Sequence, residues 1–130
     1  MSAPPLDAFL VRAKEALQSA RANKGQATLV LGKEEPDLDS IASAIVFAYF
    51  RTASPPQDAW SPLYIPVLNE RRSDLLHQAL LMRVLPHASI ALEHLIAVDD
   101  MVMRGTQSGL QEDLTRFFFV DHNVNLRGIL

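Results

Sequence analysis

The run Ala27-Thr-Leu-Val-Leu-Gly32 carries no charge, and it passes directly into the acidic stretch Lys33-Glu-Glu-Pro-Asp-Leu-Asp39. A short, continuously apolar run of this kind predicts a buried strand, the type that parallel sheets use. Phe117-Phe-Phe-Val-Asp-His-Asn123 has the same design, an apolar run that ends in a carboxylate. Parallel sheets place ligands beyond the carboxyl ends of their strands. The two exits therefore predict that Asp37, Asp39 and Asp121 meet at one crevice and form a site for a hard cation.

The intervening pattern supplies the helices such a sheet needs. Pro4 and Pro5 suit a helix start, and Leu6, Phe9, Leu10, Ala13 and Leu17 recur with helical spacing. Asn23-Lys24-Gly25 should close that helix, with glycine in the left-handed conformation. A strand is expected over residues 27–32. A second helix begins near Asp39 or Ser40, with Ile41, Ala44, Ile45, Ala48 and Tyr49 along one side. Residues 52–62, with Pro55-Pro56, read as a connection. Residues 63–68 read as a strand that Pro66 confines to an edge or a bend. One helix is expected over residues 70–85, with Leu75, Leu76, Ala79, Leu80 and Val84 inward and Pro86 as its stop. A strand over 95–98 ending in Asp99-Asp100, a short helix near 110–115 and a strand over 116–120 complete the series. This alternation predicts an α/β fold, a parallel sheet flanked by helices. So few strands imply exposed edges and helix faces, and hence further chain downstream.

Composition excludes several functions. With 48% hydrophobic and 21% charged residues over 130 positions, the chain fits one modest domain with a core. A net charge of -3, with twelve Lys and Arg scattered along the chain, argues against a nucleic-acid partner. The absence of cysteine excludes disulfides and thiolate zinc sites. No apolar run reaches the roughly 18 to 20 residues of a membrane span, and the first helix is too charged for a signal peptide. A soluble, cytoplasmic protein without a membrane partner is expected.

The chemistry lies in the carboxylates. Two residues apart in a loop, Asp37 and Asp39 can turn toward a common point, whereas on a regular helix they would diverge. Oxygen-only donors favour Mg2+ or Mn2+. Two such ions about 4 Å apart clamp a phosphoryl group and generate hydroxide from bound water. The bland alternatives are a helix cap and turn for Asp37 and Asp39, and a structural bond for Asp121. His77, His87 and His94 lack convergent acidic partners in the sequence and suit surface or packing positions. Asp99 and Asp100 suit capping or loop roles. Gly32-Lys33 lacks the rest of a Walker A loop.

Gly32-Lys-Glu-Glu-Pro-Asp-Leu-Asp-Ser-Ile-Ala-Ser-Ala44 resembles the first motif of the DHH phosphoesterase superfamily, and Val120-Asp-His-Asn123 its second. The exopolyphosphatase and prune branch is the most similar. Its first motif runs glycine, asparagine, glutamate, two variable residues, Asp-x-Asp-Ser and Ile-Ala-Ser-Ala, which Glu34, Asp37, Asp39, Ser40 and residues 41–44 fit. The resemblance implies an N-terminal portion of a DHH phosphoesterase domain across residues 1–130. It implies a two-metal Mn2+ or Mg2+ site with Asp37, Asp39 and Asp121 as ligands, Asp121 bridging. His122, beside Asp121 in sequence, suits a supporting or structural place behind the ligands as well as it suits direct chemistry as a ligand or acid. The implied activity is release of phosphate from inorganic polyphosphate or a pyrophosphate-like substrate.

Two departures bear on that expectation. Position 33 is Lys where relatives carry His or Asn, and a charged ammonium cannot ligate a cation. Two roles for Lys33 stay open: contacting a substrate phosphate, or filling and silencing the site. The Asp-His-His triplet, a later metal-binding Asp and the substrate-gripping domain are expected beyond residue 130. The alternative expectation is an inactive, truncated relative that serves as an interaction module.

Overall fold

The computed structural model describes residues 5–23, 25–57, 61, 63–101 and 115–120. Its centre is a three-stranded, all-parallel sheet in the order β2-β1-β3, with β1 Ala27–Leu31, β2 Tyr64–Val67 and β3 Thr115–Phe119. Every residue of β1 is buried, as its apolar composition requires. Strand alternation sorts those residues onto two faces. Ala27, Leu29 and Leu31 join Ile65 and Val67 against Ala13, Leu17 and Ala20 of helix α1, Leu6–Asn23. Val30 and Tyr64 pack against Ile41, Ala44, Ile45 and Ala48 of helix α2, Leu38–Ala53. Thr28, the one polar residue of β1, satisfies its buried hydroxyl by a 2.6 Å bond with the Ser61 hydroxyl.

The periodicity of α1 and α2 holds, and Tyr49 meets Phe9 edge to face at 5.4 Å between ring centroids. The closure of α1 differs from expectation. The Gly25 N–H donates to Ala20 O at 3.0 Å, but Gly25 itself stays outside the left-handed region.

Pro66 is accommodated by register. In a parallel pair, alternate residues direct their N–H groups to the same side. The Tyr64 N–H donates to Thr52 Oγ1 at 2.9 Å and the Leu68 N–H donates to Ile96 O at 2.8 Å, both away from β1. Pro66 lies between them in the same phase, so its missing N–H removes nothing from the ladder with β1. The strand expected over 95–98 is reduced to one parallel bridge, Leu68 with Ala97. A 3-10 turn, Val98–Met101, follows at once.

The helix expected over 70–85 is two helices, α3 Arg72–Leu75 and α4 Ala79–His87. Gln78 is extended at their junction, and the break rotates the phase of everything after it. Leu75, Leu81 and Leu85 are buried, while Leu76, Leu80 and Val84 are exposed. Ala79 is exposed as well. Pro86 sits inside the last turn of α4 and does not stop it. The stop is a left-handed residue, Ser89 at φ 58°, with bonds from Ser89 N–H to Pro86 O and from Ile90 N–H to Leu85 O. The helix expected near 110–115 lies outside the described residues, apart from Thr115, which opens β3. No helix of the described residues is long and apolar enough to cross a membrane.

Candidate functional site

The strand order creates a switch point. The chain leaves β1, crosses through α2 to β2 on one side, and later returns to place β3 on the other side of β1. The crevice between β1 and β3, beyond their carboxyl ends, is where an open α/β sheet binds ligands. The Leu31 carbonyl at the end of β1 accepts the Val120 N–H at 3.0 Å. Gly32 is the point of convergence: a methyl group added there would lie 3.6 Å from Ser40 O in α2 and 3.8 Å from Val120 Cγ2. The loop carrying Asp37 and the exit of β3 thus start side by side. Asp121 and His122, the next residues in sequence, lie outside the described residues.

Asp37 is the N-cap of α2. Its Oδ1 accepts the Ser40 N–H at 2.9 Å, and its backbone carbonyl accepts both the Ser40 hydroxyl at 2.9 Å and the Ile41 N–H at 3.0 Å. Its Oδ2 faces the Lys33 ammonium at 3.1 Å. The Ser40 amide first, and then Lys33, hold the Asp37 carboxyl down at about 2, against an ordinary value of 3.8. The cap reading of Asp37 is therefore correct as far as it goes, and the helix starts one or two residues earlier than Asp39 or Ser40. Asp39 lies within the first turn of α2, exposed, and has no polar partner among the described residues. The two carboxylates therefore do not share a loop: one is turned back on the helix amides, and the other projects from the helix itself.

The loop between β1 and α2 is set by long-range contacts. Glu35 takes a left-handed φ of 48°, which bends Lys33 back toward Asp37. The Pro36 carbonyl accepts Gln78 Nε2 at 2.9 Å, and Gly32 O accepts Asn69 Nδ2 at 3.4 Å. These side chains also line an open polar groove of about 710 Å3, with Glu34, Glu35, Glu70 and Asp74 around them. Burial pushes the Glu70 carboxyl up, against a hydrogen bond from Gln78 and with help from Asp74 and Glu35. The groove adjoins the switch point but is not lined by Asp37 or Asp39.

Sequence reasoning missed two polar ties. The Arg72 guanidinium bonds both carboxylate oxygens of Asp100 and the carbonyls of Leu92 and Leu95. The Arg72 amide donates to Asp99 Oδ1 at 3.0 Å. His94, expected to lack an acidic partner, lies 2.7 Å from Asp7, which also accepts the Ala91 N–H. That hydrogen bond from His94 is the chief cause that lowers the Asp7 carboxyl. The partners are 87 positions apart, so no local pattern announces them. Both ties fix the segment that follows α4 and leave Asp99 and Asp100 in structural roles.

Among the described residues, no group of three or more His, Asp or Glu gathers to hold a metal ion. Asp37 and Asp39 are oxygen donors suited to Mg2+ or Mn2+. Asp37 Oδ2 is taken by the Lys33 ammonium and Asp39 projects from α2, so the described residues do not by themselves assemble a site for such an ion. Comparison with protein-family models, curated proteins and solved structures gave no significant match.

Proposed function

We propose that this chain belongs to a metal-dependent phosphoanhydride hydrolase of exopolyphosphatase type, which releases phosphate from inorganic polyphosphate. The observation that carries this reading is the adjacency of β1 and β3, with Val120 N–H bonded to Leu31 O at 3.0 Å. Asp37, Asp39 and Asp121 would hold Mn2+ or Mg2+, which when bound supplies a nucleophilic water and offsets phosphoryl charge. Asp37 is oriented for that task by the Ser40 amide, and the N-terminus of α2 adds a partial positive charge beside the anion. His122 stands next to Asp121 and would orient it.

The test is phosphate release from polyphosphate and from pyrophosphate, with Mn2+ or Mg2+, by the protein expressed from its full reading frame. Asp121→Asn and Asp37→Asn should each lower the rate by about 100-fold or more, the scale of a lost metal position. Undiminished turnover in either variant would sink the assignment.

A second reading is a catalytically silent relative that serves as an interaction module. The Lys33–Asp37 ion pair favours it, because an internal cation already neutralises one proposed ligand. Exposed Phe50, Phe118 and Phe119 offer apolar surface for a partner. This reading expects neither phosphate release nor Mn2+ binding.

A further inference from the structure

We infer that the outer face of α2 is a self-association surface, on which a second copy of this chain packs its own α2 antiparallel about a two-fold axis at Val46. The inference does not depend on the proposed phosphate-releasing activity. The inner stripe of α2, Ile41, Ala44, Ile45 and Ala48, is buried against the sheet. On a surface helix the opposite stripe should be charged or polar. Here Asp39, Ala42, Ser43, Val46, Phe50 and Ala53 recur at i, i+3, i+4, i+7, i+11 and i+14, so they share that opposite face, and all six are exposed. Val46 and Phe50 are 44% and 64% open to solvent, and no charged residue occurs from Ser40 to Phe50. A helix apolar on two opposite faces is built to lie between two packed layers, and the described residues cover only the inner face.

The outer stripe is its own complement, which selects a second copy as the occupant. Small Ala42 and large Phe50 lie at equal distances on either side of Val46, about 6 Å away at about 1.5 Å per residue. Reversing a second α2 about Val46 therefore sets Phe50 of each copy level with Ala42 and Ser43 of the other, large against small. That pairing lets the helix axes approach to ordinary packing distance, and the two-fold supplies it twice. The charges select the same direction. The stripe begins at the acidic Asp39, and Arg51 in the last turn is the basic residue nearest its other end. Arg51 is exposed and lies over the Phe47 ring at 5.2 Å, beside the stripe. Antiparallel packing brings the acidic end of one helix to the basic end of the other, whereas parallel packing would set like charges together.

The experiment is sedimentation equilibrium of the full-length protein over a range of concentrations. A single helix pair is a small interface, so the parent should pass from monomer to dimer with a Kd between about 1 and 100 μM. Phe50→Asp should weaken the dimer by at least about 30-fold, the scale of a lost interface anchor. Ala42→Arg, at an exposed position that a monomer leaves open, should weaken it to a similar degree by blocking the hollow that receives Phe50. Asp39→Arg and Arg51→Asp should each weaken the dimer by about fivefold, and the two together should restore it, because the charges are exchanged end for end. A parent that stays monomeric at every concentration gives the face to some other occupant and overturns the inference. So does a dimer indifferent to Phe50→Asp and Ala42→Arg. A double charge variant no better than the single ones overturns the antiparallel arrangement. Circular dichroism melts of the variants that match the parent's show that loss of association is not loss of fold.

Discussion

β2 and β3 flank the same central strand in the same parallel sense, yet their surroundings differ sharply. All four residues of β2 are buried, and its outer side is met by the Thr52 hydroxyl, the Leu68–Ala97 bridge and the segment held by Arg72. In β3 only Thr115 is fully buried, while Phe118 and Phe119 are 37% and 50% exposed. Phe118 reaches back to Tyr64 and Phe47 on one face, and Phe119 stacks on Phe117 on the other. One flank is thus closed by packing and polar ties, and the other, beside the switch point, is left apolar and accessible. The closed flank holds the β1 exit loop in place, and the accessible flank is where the proposed chemistry lies.

The comparison breaks most readily in the core. Ile65→Ala in β2 should cost about 3 kcal/mol, because the site is closed and a cavity results. Phe119→Ser in β3 should cost about 1 kcal/mol, since its side chain is already half in water and loses only part of a Phe's burial. Chemical denaturation of the two variants gives the test, and equal losses would mean that the flanks are equally packed.

Arg72→Met comes next, at about 2 kcal/mol, because it strips the bonds to Asp100, Leu92 O and Leu95 O from a partly buried site. Burial pushes the Asp100 carboxyl up, but the Arg72 hydrogen bond and the Ala97 amide outweigh it and leave the group lowered. A lowered acid stabilises the fold above its ordinary 3.8 and loses that contribution as pH falls through its folded value. The deficit of Arg72→Met should therefore be full at neutral pH and shrink in acid, as read by urea titrations at several pH values.

Asp37→Ala should cost less than Arg72→Met, a fall in Tm of about 4 °C from the lost cap. The sign again follows from a lowered carboxyl: the contribution is complete above 3.8 and gone below about 2. A Tm difference that persists at lower pH would mean that Asp37 acts through shape and not charge. A small stability effect together with a large loss of phosphate release would sharpen the contrast between the two flanks.

Much of the fold was legible because its signals are local. Continuous apolar runs marked β1 and β3, and helical spacing marked the buried faces of α1 and α2. The same logic failed over residues 70–85, where a phase read straight through Gln78 put Leu80 and Val84 inside, and where Leu76, which ends α3, was also read as inward. Nothing local requires a break there: Gln78 is extended while its side chain joins Pro36 O and Glu70, contacts that exist only once the loop after β1 is folded. The stop at Ser89 was hidden for a related reason, since serine in the left-handed region imitates the glycine that usually marks such an end. His94 and Arg72 found their partners across the fold, beyond the reach of any short pattern.

The candidate site divides along the same line. From the residues alone came the α/β class, the strand exits and the acidic side chains placed at them, because strand burial and helix period are properties of neighbouring residues. The order β2-β1-β3, the meeting of Ser40, Gly32 and Val120, and the pairing of Lys33 with Asp37 arose only in three dimensions. Those contacts depend on which strand returns beside β1 and on how a left-handed Glu35 turns its loop, and long-range packing selects both.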